Sequence, residues 1–196
     1  WTSIGSKIKV PSKNSIWKVN GNNILMENKP VILEWSNGEG IIFKKQIELD
    51  NKYLFKITQQ VLNNTNNQVE LYPYAQITRN KIPDDIQNFY ISHEGFIGVF
   101  DEELKEDDYD DIEEKKIVRE ANEGWFGITD KYWMTALVPK NGENFKSTFL
   151  YQDAFKANYI LNKPTLINPS SSNTNEVRLF VAAKEVETID AYAANQ

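Results

Sequence analysis

The chain has 196 residues, 40% of them hydrophobic and 26% charged, which fits one globular domain or at most two. This composition excludes a collagen-like, coiled-coil or wholly disordered chain, and no apolar run approaches the ~18 residues that a membrane-spanning helix needs. The formal net charge is −6, but Asp101 to Glu114 holds ten acids and one base, Lys105, a net of −9 that leaves the other 182 residues at +3. No Lys/Arg run exists, so nucleic acid is not an expected partner.

There is no cysteine, hence no disulfide framework, thiolate nucleophile or thiolate metal site. Lysine (19) far exceeds arginine (3) and asparagine reaches 22, which reads as genome composition bias. Asn63-Asn64-Thr65 matches a glycosylation sequon, a short pattern expected by chance in an Asn-rich chain. The chain opens on Trp1 with no basic and apolar leader behind it, as a mature secreted domain or an excised piece does.

In chain order the pattern predicts strand after strand. Val31–Trp35 comes first, then the turn 36–40 with Gly38 and Gly40. Ile41, Phe43, Ile47 and Leu49 alternate with polar residues, and Lys45 interrupts their apolar face. Tyr53, Phe55, Ile57 and Val61 alternate likewise, interrupted by Gln59. Residues 68–78, 131–138, 145–151, 154–161 and 176–181 are also rich in strand formers, with a hairpin signal at Asn141-Gly142 and punctuation at 163–164 and 168–172. About a dozen strands without intervening helices predict an antiparallel β-sandwich over residues 1–182. Two segments break the pattern. Residues 101–116 read as a charged insertion loop, helical or mobile. In 183–196, Ala182, Val186, Ile189 and Ala193 fall on one face of a short amphipathic helix.

Catalytic and metal constellations are sparse. His93 is the only histidine; Ser92-His93-Glu94-Gly95 reads as a solvated turn with no nucleophile elbow beside it. In the acidic run, neither Asp107 nor Asp108 starts a calcium loop, because Tyr109, Ile112 and Glu113 fall where oxygen ligands or the turn glycine belong. Phosphate-loop and HExxH patterns are missing, so no cofactor or metal is expected. Trp125, Phe126, Tyr132 and Trp133 form an aromatic group that reads first as core, with Trp125 and Trp133 as possible cleft platforms for a sugar or peptide.

Three stretches resemble one family, the large periplasmic domain of the bacterial YidC membrane protein insertase. They are Glu34-Trp35 through Gly38, Gly40 and Phe43; Gly124-Trp125 through Tyr132-Trp133 to Pro139; and Phe180 to Glu185 followed by Ile189 to Tyr192. The resemblance implies a β-supersandwich similar to galactose mutarotases, closed by a C-terminal helix leading toward a transmembrane segment. It implies a periplasmic domain of an inner-membrane protein that inserts and helps fold membrane proteins, alone or beside the Sec translocon, with SecF as a partner and no enzymatic activity of its own. Lys184, Glu185, Val186, Ile189 and Tyr192 are then the interaction candidates of the C-terminal helix. The rival expectations are a carbohydrate- or peptide-binding sandwich using Trp125 and Trp133, and an epimerase-like enzyme, for which one histidine is too few.

Overall fold

Residues of period two bury one face only when a second layer covers it, and the apolar rows of this chain are covered by packing one sheet on another. A computed structural model describes residues 1–5, 7–83 and 93–184. The strands run β1 Lys18–Asn20, β2 Val31–Ser36, β3 Ile41–Leu49, β4 Leu54–Asn63, β5 Val69–Leu71, β6 Tyr74–Arg79, β7 Gly95–Phe100 and β8 Glu103–Asp107. After the single short helix among the described residues, α1 Tyr109–Glu114, come β9 Ile117–Ala121, β10 Gly124–Thr129, β11 Trp133–Pro139, β12 Phe145–Tyr151, β13 Phe155–Leu161, β14 Thr165–Ile167 and β15 Ser171–Ala183.

All pairing between these strands is antiparallel. The large sheet has nine strands in the order β1-β2-β3-β4-β15-β11-β10-β7-β8. A four-stranded sheet, β6-β13-β12-β9, packs on its inner face, and β14-β5 form a small pair. The predicted antiparallel sandwich is therefore the observed fold. The main core is aromatic. Phe96, Phe100 and Phe126 from the large sheet meet Phe145, Phe149, Phe155 and Tyr159 from the small one. Phe126 alone lies within 6.4 Å of Phe145, Phe149 and Tyr159, centroid to centroid. A second core lies under the β5–β14 pair: Ile41, Phe43, Val61, Leu71 and Ile167. A third apolar group, Met134, Ala136, Phe180 and Ala182, is on β11 and β15 with Trp125 against it.

Glycine is required at Gly124. Its φ is +126°, and a Cβ there would lie 2.0 Å from the Val99 carbonyl oxygen on the neighbouring strand. Pro139 ends β11 opposite Val177, buried at the point where a missing N–H does no harm to the ladder's end.

The acidic stretch departs from the sequence reading in part: α1 is the helix expected there, but the segment is not a solvated connection. Residues 103–107 pair with β7 as the large sheet's outer strand, and Tyr109 and Ile112 of α1 enter the main core. Two clasps hold it. Arg119 of β9 meets Asp107 at the end of β8 in a two-pronged contact, Nη2 to Oδ1 at 2.8 Å and Nη1 to Oδ2 at 2.7 Å. Its guanidinium also lies 5.5 Å from the Phe100 and Phe149 ring centres, which ties the edges of both sheets together. The Tyr109 hydroxyl donates to Asp130 Oδ1 at 3.1 Å, and Asp130 in turn pairs with Arg79 at the end of β6. Burial, with Asp130 beside it, pushes the Tyr109 phenol far above its ordinary pKa.

The C-terminal helix expected from residue 183 does not begin there. Ala183 is the last residue of β15, paired with Trp133. The helix expectation for Glu185, Val186, Ile189 and Tyr192 lies outside the described residues.

The Arg119–Asp107 clasp predicts an asymmetric mutant cycle. Asp107→Ala leaves a largely buried guanidinium unpaired and should cost about 3 kcal/mol or more, whereas the double change Asp107→Leu/Arg119→Met should cost much less. Urea denaturation midpoints of the three proteins check this. Equal losses for single and double variants would show that the clasp is not an ion pair shielded from water.

Candidate functional site

Lys45 and Gln59 sit on the apolar faces of β3 and β4, where the alternation calls for another Ile or Val. The register explains them jointly. Lys45 lies directly opposite Gln59, and Gln59 directly opposite Asn175 of β15. Opposed residues of antiparallel strands share a face, so the three form one polar row across the inner side of the large sheet. Apolar rows flank it: Phe43 and Val61 on one side, Ile47, Ile57 and Val177 on the other.

Buried members of the row are satisfied internally. Gln59 is 3% exposed; its Oε1 accepts from the Trp1 nitrogen at 3.3 Å and its Nε2 donates to the Tyr74 carbonyl at 3.3 Å. Asn175 accepts from the Tyr159 hydroxyl at 3.3 Å and donates to Glu143 Oε2 at 3.0 Å. Burial, then Glu143, raises the Tyr159 phenol far above its ordinary value.

Lys45 differs. It is half-buried, and its Nζ stands 4.8 Å from the centre of the Trp17 ring. Among the described residues no carboxylate comes within ion-pair distance of it. Burial pulls its pKa below the usual lysine value.

Lys45 and Gln59 of this row line an open groove of about 580 Å³ beside β6, an outer strand of the small sheet. Trp17 and Tyr74 stand among its walls, and Ile47, Ile57 and Leu179 line its apolar part. Among the described residues three lysines line it, Lys13, Lys44 and Lys45, and no Asp, Glu or His does. Lys44 is paired with Glu34 at 3.2 Å. A groove of this size falls in the range of ligand sites.

The residues singled out from the sequence are distributed otherwise. Trp35 packs against Phe43 at 5.6 Å beside the second core. Gly38 and Gly40 make the β2–β3 turn with φ of +78° and +90°, around Asn37, whose Oδ1 accepts the Glu39 and Ile41 N–H groups. Trp125 and Trp133 do not meet: Trp125 is half-buried against the third apolar group, whereas Trp133 is 60% exposed at the far end of β11. Neither lines the groove. Tyr132 is equally exposed, and its carbonyl accepts the Lys184 N–H. The Lys184 ammonium donates to the His93 carbonyl at 3.0 Å. His93 is not a solvated turn residue. Its Nε2–H donates to the Phe96 carbonyl at 2.8 Å, and Nδ1 faces Asp108 at 3.7 Å. Trp17, Tyr74 and Asn175 were not legible as site residues; the two interruptions at Lys45 and Gln59 were the available signal.

A family model described as the YidC periplasmic domain matches residues 1–196. The chain belongs to that family. A membrane protein insertase YidC from Pelagibacter ubique is 44% identical over 195 residues, covering all of this chain and 35% of the relative. One from Cereibacter sphaeroides is 37% identical, covering 98% of this chain and 33% of the relative. The chain thus spans about a third of the length of these relatives. In fold, the chain resembles a galactose mutarotase related enzyme from Lactobacillus acidophilus, with a TM-score of 0.63, 10% identity, and 89% and 73% of the two chains covered. An α-galactosidase from Lactobacillus brevis gives a TM-score of 0.56 at 6% identity, with 88% of this chain and 26% of that one covered. These likenesses establish a mutarotase-like supersandwich.

Lys45 carries its charge at a cost. Because burial lowers its folded-state pKa, the cost is present at neutral pH and fades as pH rises toward 10.5, where the unfolded chain also loses the proton. Lys45→Met should therefore raise the melting temperature at pH 7 by roughly 2–4 °C, the shift that ~1 kcal/mol gives at this chain length. The gap to wild type should narrow toward pH 10.5. Calorimetric scans across that range check it; an unchanged or lower melting point at pH 7 would remove the claim.

Proposed function

We propose that this chain is a non-enzymatic interaction and scaffold domain on the periplasmic side of an inner-membrane protein that inserts and helps fold membrane proteins, alone or with the Sec translocon. The observation that carries this reading is the family match along the whole chain, with relatives named insertases at 44% and 37% identity. The groove adds to it. Epimerisation of a sugar needs a general base and a general acid across the ring. Among the described residues no Asp, Glu or His lines the groove, and His93 is committed to Phe96 and Asp108 elsewhere. The mutarotase-like fold is thus read here as a scaffold without that chemistry.

The partner in this reading is SecF. Calorimetric titration of the chain with the periplasmic domain of SecF at two salt concentrations should give a saturable 1:1 isotherm. Weakening at high salt would assign part of the contact to the acidic edge around Asp101–Glu114. No heat at high micromolar concentrations of both proteins would overturn SecF docking by this domain.

The reading also gives the segment 185–196 a place. Lys184 leaves β15 beside the apolar group Met134, Ala136, Phe180 and Ala182. Val186, Ile189 and Tyr192 are proposed to cover that group and to set the approach to the membrane. Ile189→Asp should then lower stability by about 1–3 kcal/mol, as a charge is forced against apolar surface, and should impair the parent protein in a growth-complementation assay. Unchanged stability and full complementation would refute this docking.

A further inference from the structure

The exposed aromatic side chains are not scattered. Among the described residues they are Tyr53, Tyr132, Trp133 and Tyr151. All stand at the same end of the strands: Tyr53 between β3 and β4, Tyr132 and Trp133 where β10 passes into β11, and Tyr151 at the end of β12. The turns at the other end, 36–40, 64–67, 140–144 and 168–170, contain no aromatic residue. We propose that Tyr53, Tyr132 and Trp133 form a contact with the headgroup layer of an anionic lipid bilayer, with Lys52 and Lys131 meeting the lipid phosphates. The proposal rests on the scaffold reading for the presence of a membrane.

Main-chain hydrogen bonds gather the three residues around the end of β15. The Tyr53 carbonyl accepts the Val181 N–H at 3.3 Å from one side, and the Tyr132 carbonyl accepts the Lys184 N–H at 2.8 Å from the other. Trp133 is paired with Ala183. This is the strand from which, in the scaffold reading, the chain goes on toward the membrane. Tyr53 also holds a φ of +64°, a conformation that costs a bulky residue and that Gly or Asn would adopt more easily. Its ring is 63% exposed, so packing does not explain a tyrosine there.

The chemistry of the patch gives the class of the partner. Tyr and Trp join an apolar ring to a polar tip, which suits the layer where hydrocarbon meets water. A lysine precedes each aromatic turn. Lys52 is exposed beside Tyr53, and the Lys131 ammonium lies 5.2 Å from the Tyr132 ring centre. Such lysines are drawn to an anionic lipid surface. The neighbouring acids are engaged within the fold: Asp130 pairs with Arg79 and accepts from Tyr109, and Asp50 accepts the Lys52 and Leu54 N–H groups. Tyr151 is left out of the contact. Its ring packs on Phe155 at 4.7 Å, and Phe155 meets Tyr109 of the acidic helix α1, where anionic lipid is repelled.

The test uses the whole chain and vesicles of phosphatidylethanolamine and phosphatidylglycerol at about 3:1. Flotation at millimolar lipid should carry the chain with these vesicles, and less of it with phosphatidylcholine alone or at high salt. The variant Tyr53→Asn/Tyr132→Ser/Trp133→Thr, its fold checked by its thermal transition, should lower the bound fraction roughly tenfold. Brominated lipid should quench the tryptophan fluorescence of wild type, and Trp133→Phe should lose most of that quenching, since Trp133 is the one exposed tryptophan of the five. No flotation of wild type, equal flotation of the triple variant, or quenching unchanged by Trp133→Phe would overturn the proposal. The SecF titration is a separate readout. Wild type that floats through these residues without binding SecF keeps the lipid contact. A triple variant that floats as before but no longer binds SecF makes this end a protein contact, and the lipid assignment falls.

Discussion

A nine-stranded sheet cannot be covered by a four-stranded one. At ~4.8 Å between strands, the large sheet is roughly 40 Å across and its cover roughly half that. The aromatic core occupies the covered part, under β12 and β13. Over β2–β4 another solution is needed. Part of the area is sealed by β5, β14 and the early residues Trp1, Ile8, Val10 and Trp17. The polar row Lys45–Gln59–Asn175 falls between the two solutions: Phe43 and Val61 on one side belong to the second core, Ile57 and Val177 on the other to the first. The groove is the seam between two cores that do not merge, and the half-buried end of the row, Lys45, lies in it.

The opposite end of the sheet is organised by charge. A run of ten acids at an outer strand discourages edge-to-edge pairing with other sheets. The segment stays attached because one of its acids, Asp107, and the tyrosine within it, Tyr109, are clasped by Arg119 and Asp130. Lysines at the groove and acids at β8 and α1 thus stand toward opposite ends of one sheet, and the chain has a pronounced charge asymmetry that its net charge of −6 conceals.

Much of the sandwich could be read from alternation, because β3, β4, β12 and β13 each bury one face against a layer. Other parts resisted for definite reasons. β7 carries Gly95 and Gly98, which dilute strand propensity while letting neighbouring chains approach closely. β15 extends back to Ser171 through a polar stretch that reads as a loop, since only its pairing with β4 makes it a strand. In the acidic run, charge count obscured Tyr109 and Ile112, two apolar residues three positions apart that turn inward together. For the site, a lysine and a glutamine misplaced in apolar rows were visible one strand at a time. Their opposition, and the contribution of Asn175, exist only once the register is known.

The position of β15 has a consequence for the order in which this molecule can come into being. It is the last strand in the described chain, yet it stands in the middle of the large sheet, joining β4 on one side to β11 on the other. Until Ser171–Ala183 emerges, the sheet exists as two separate halves, each with an open hydrogen-bonding edge. Contacts between β15 and β4 span more than a hundred residues, so their closure is slow and comes late. In a polypeptide delivered from its N-terminal end, this sheet therefore stays incomplete until residues 171–183 have been delivered.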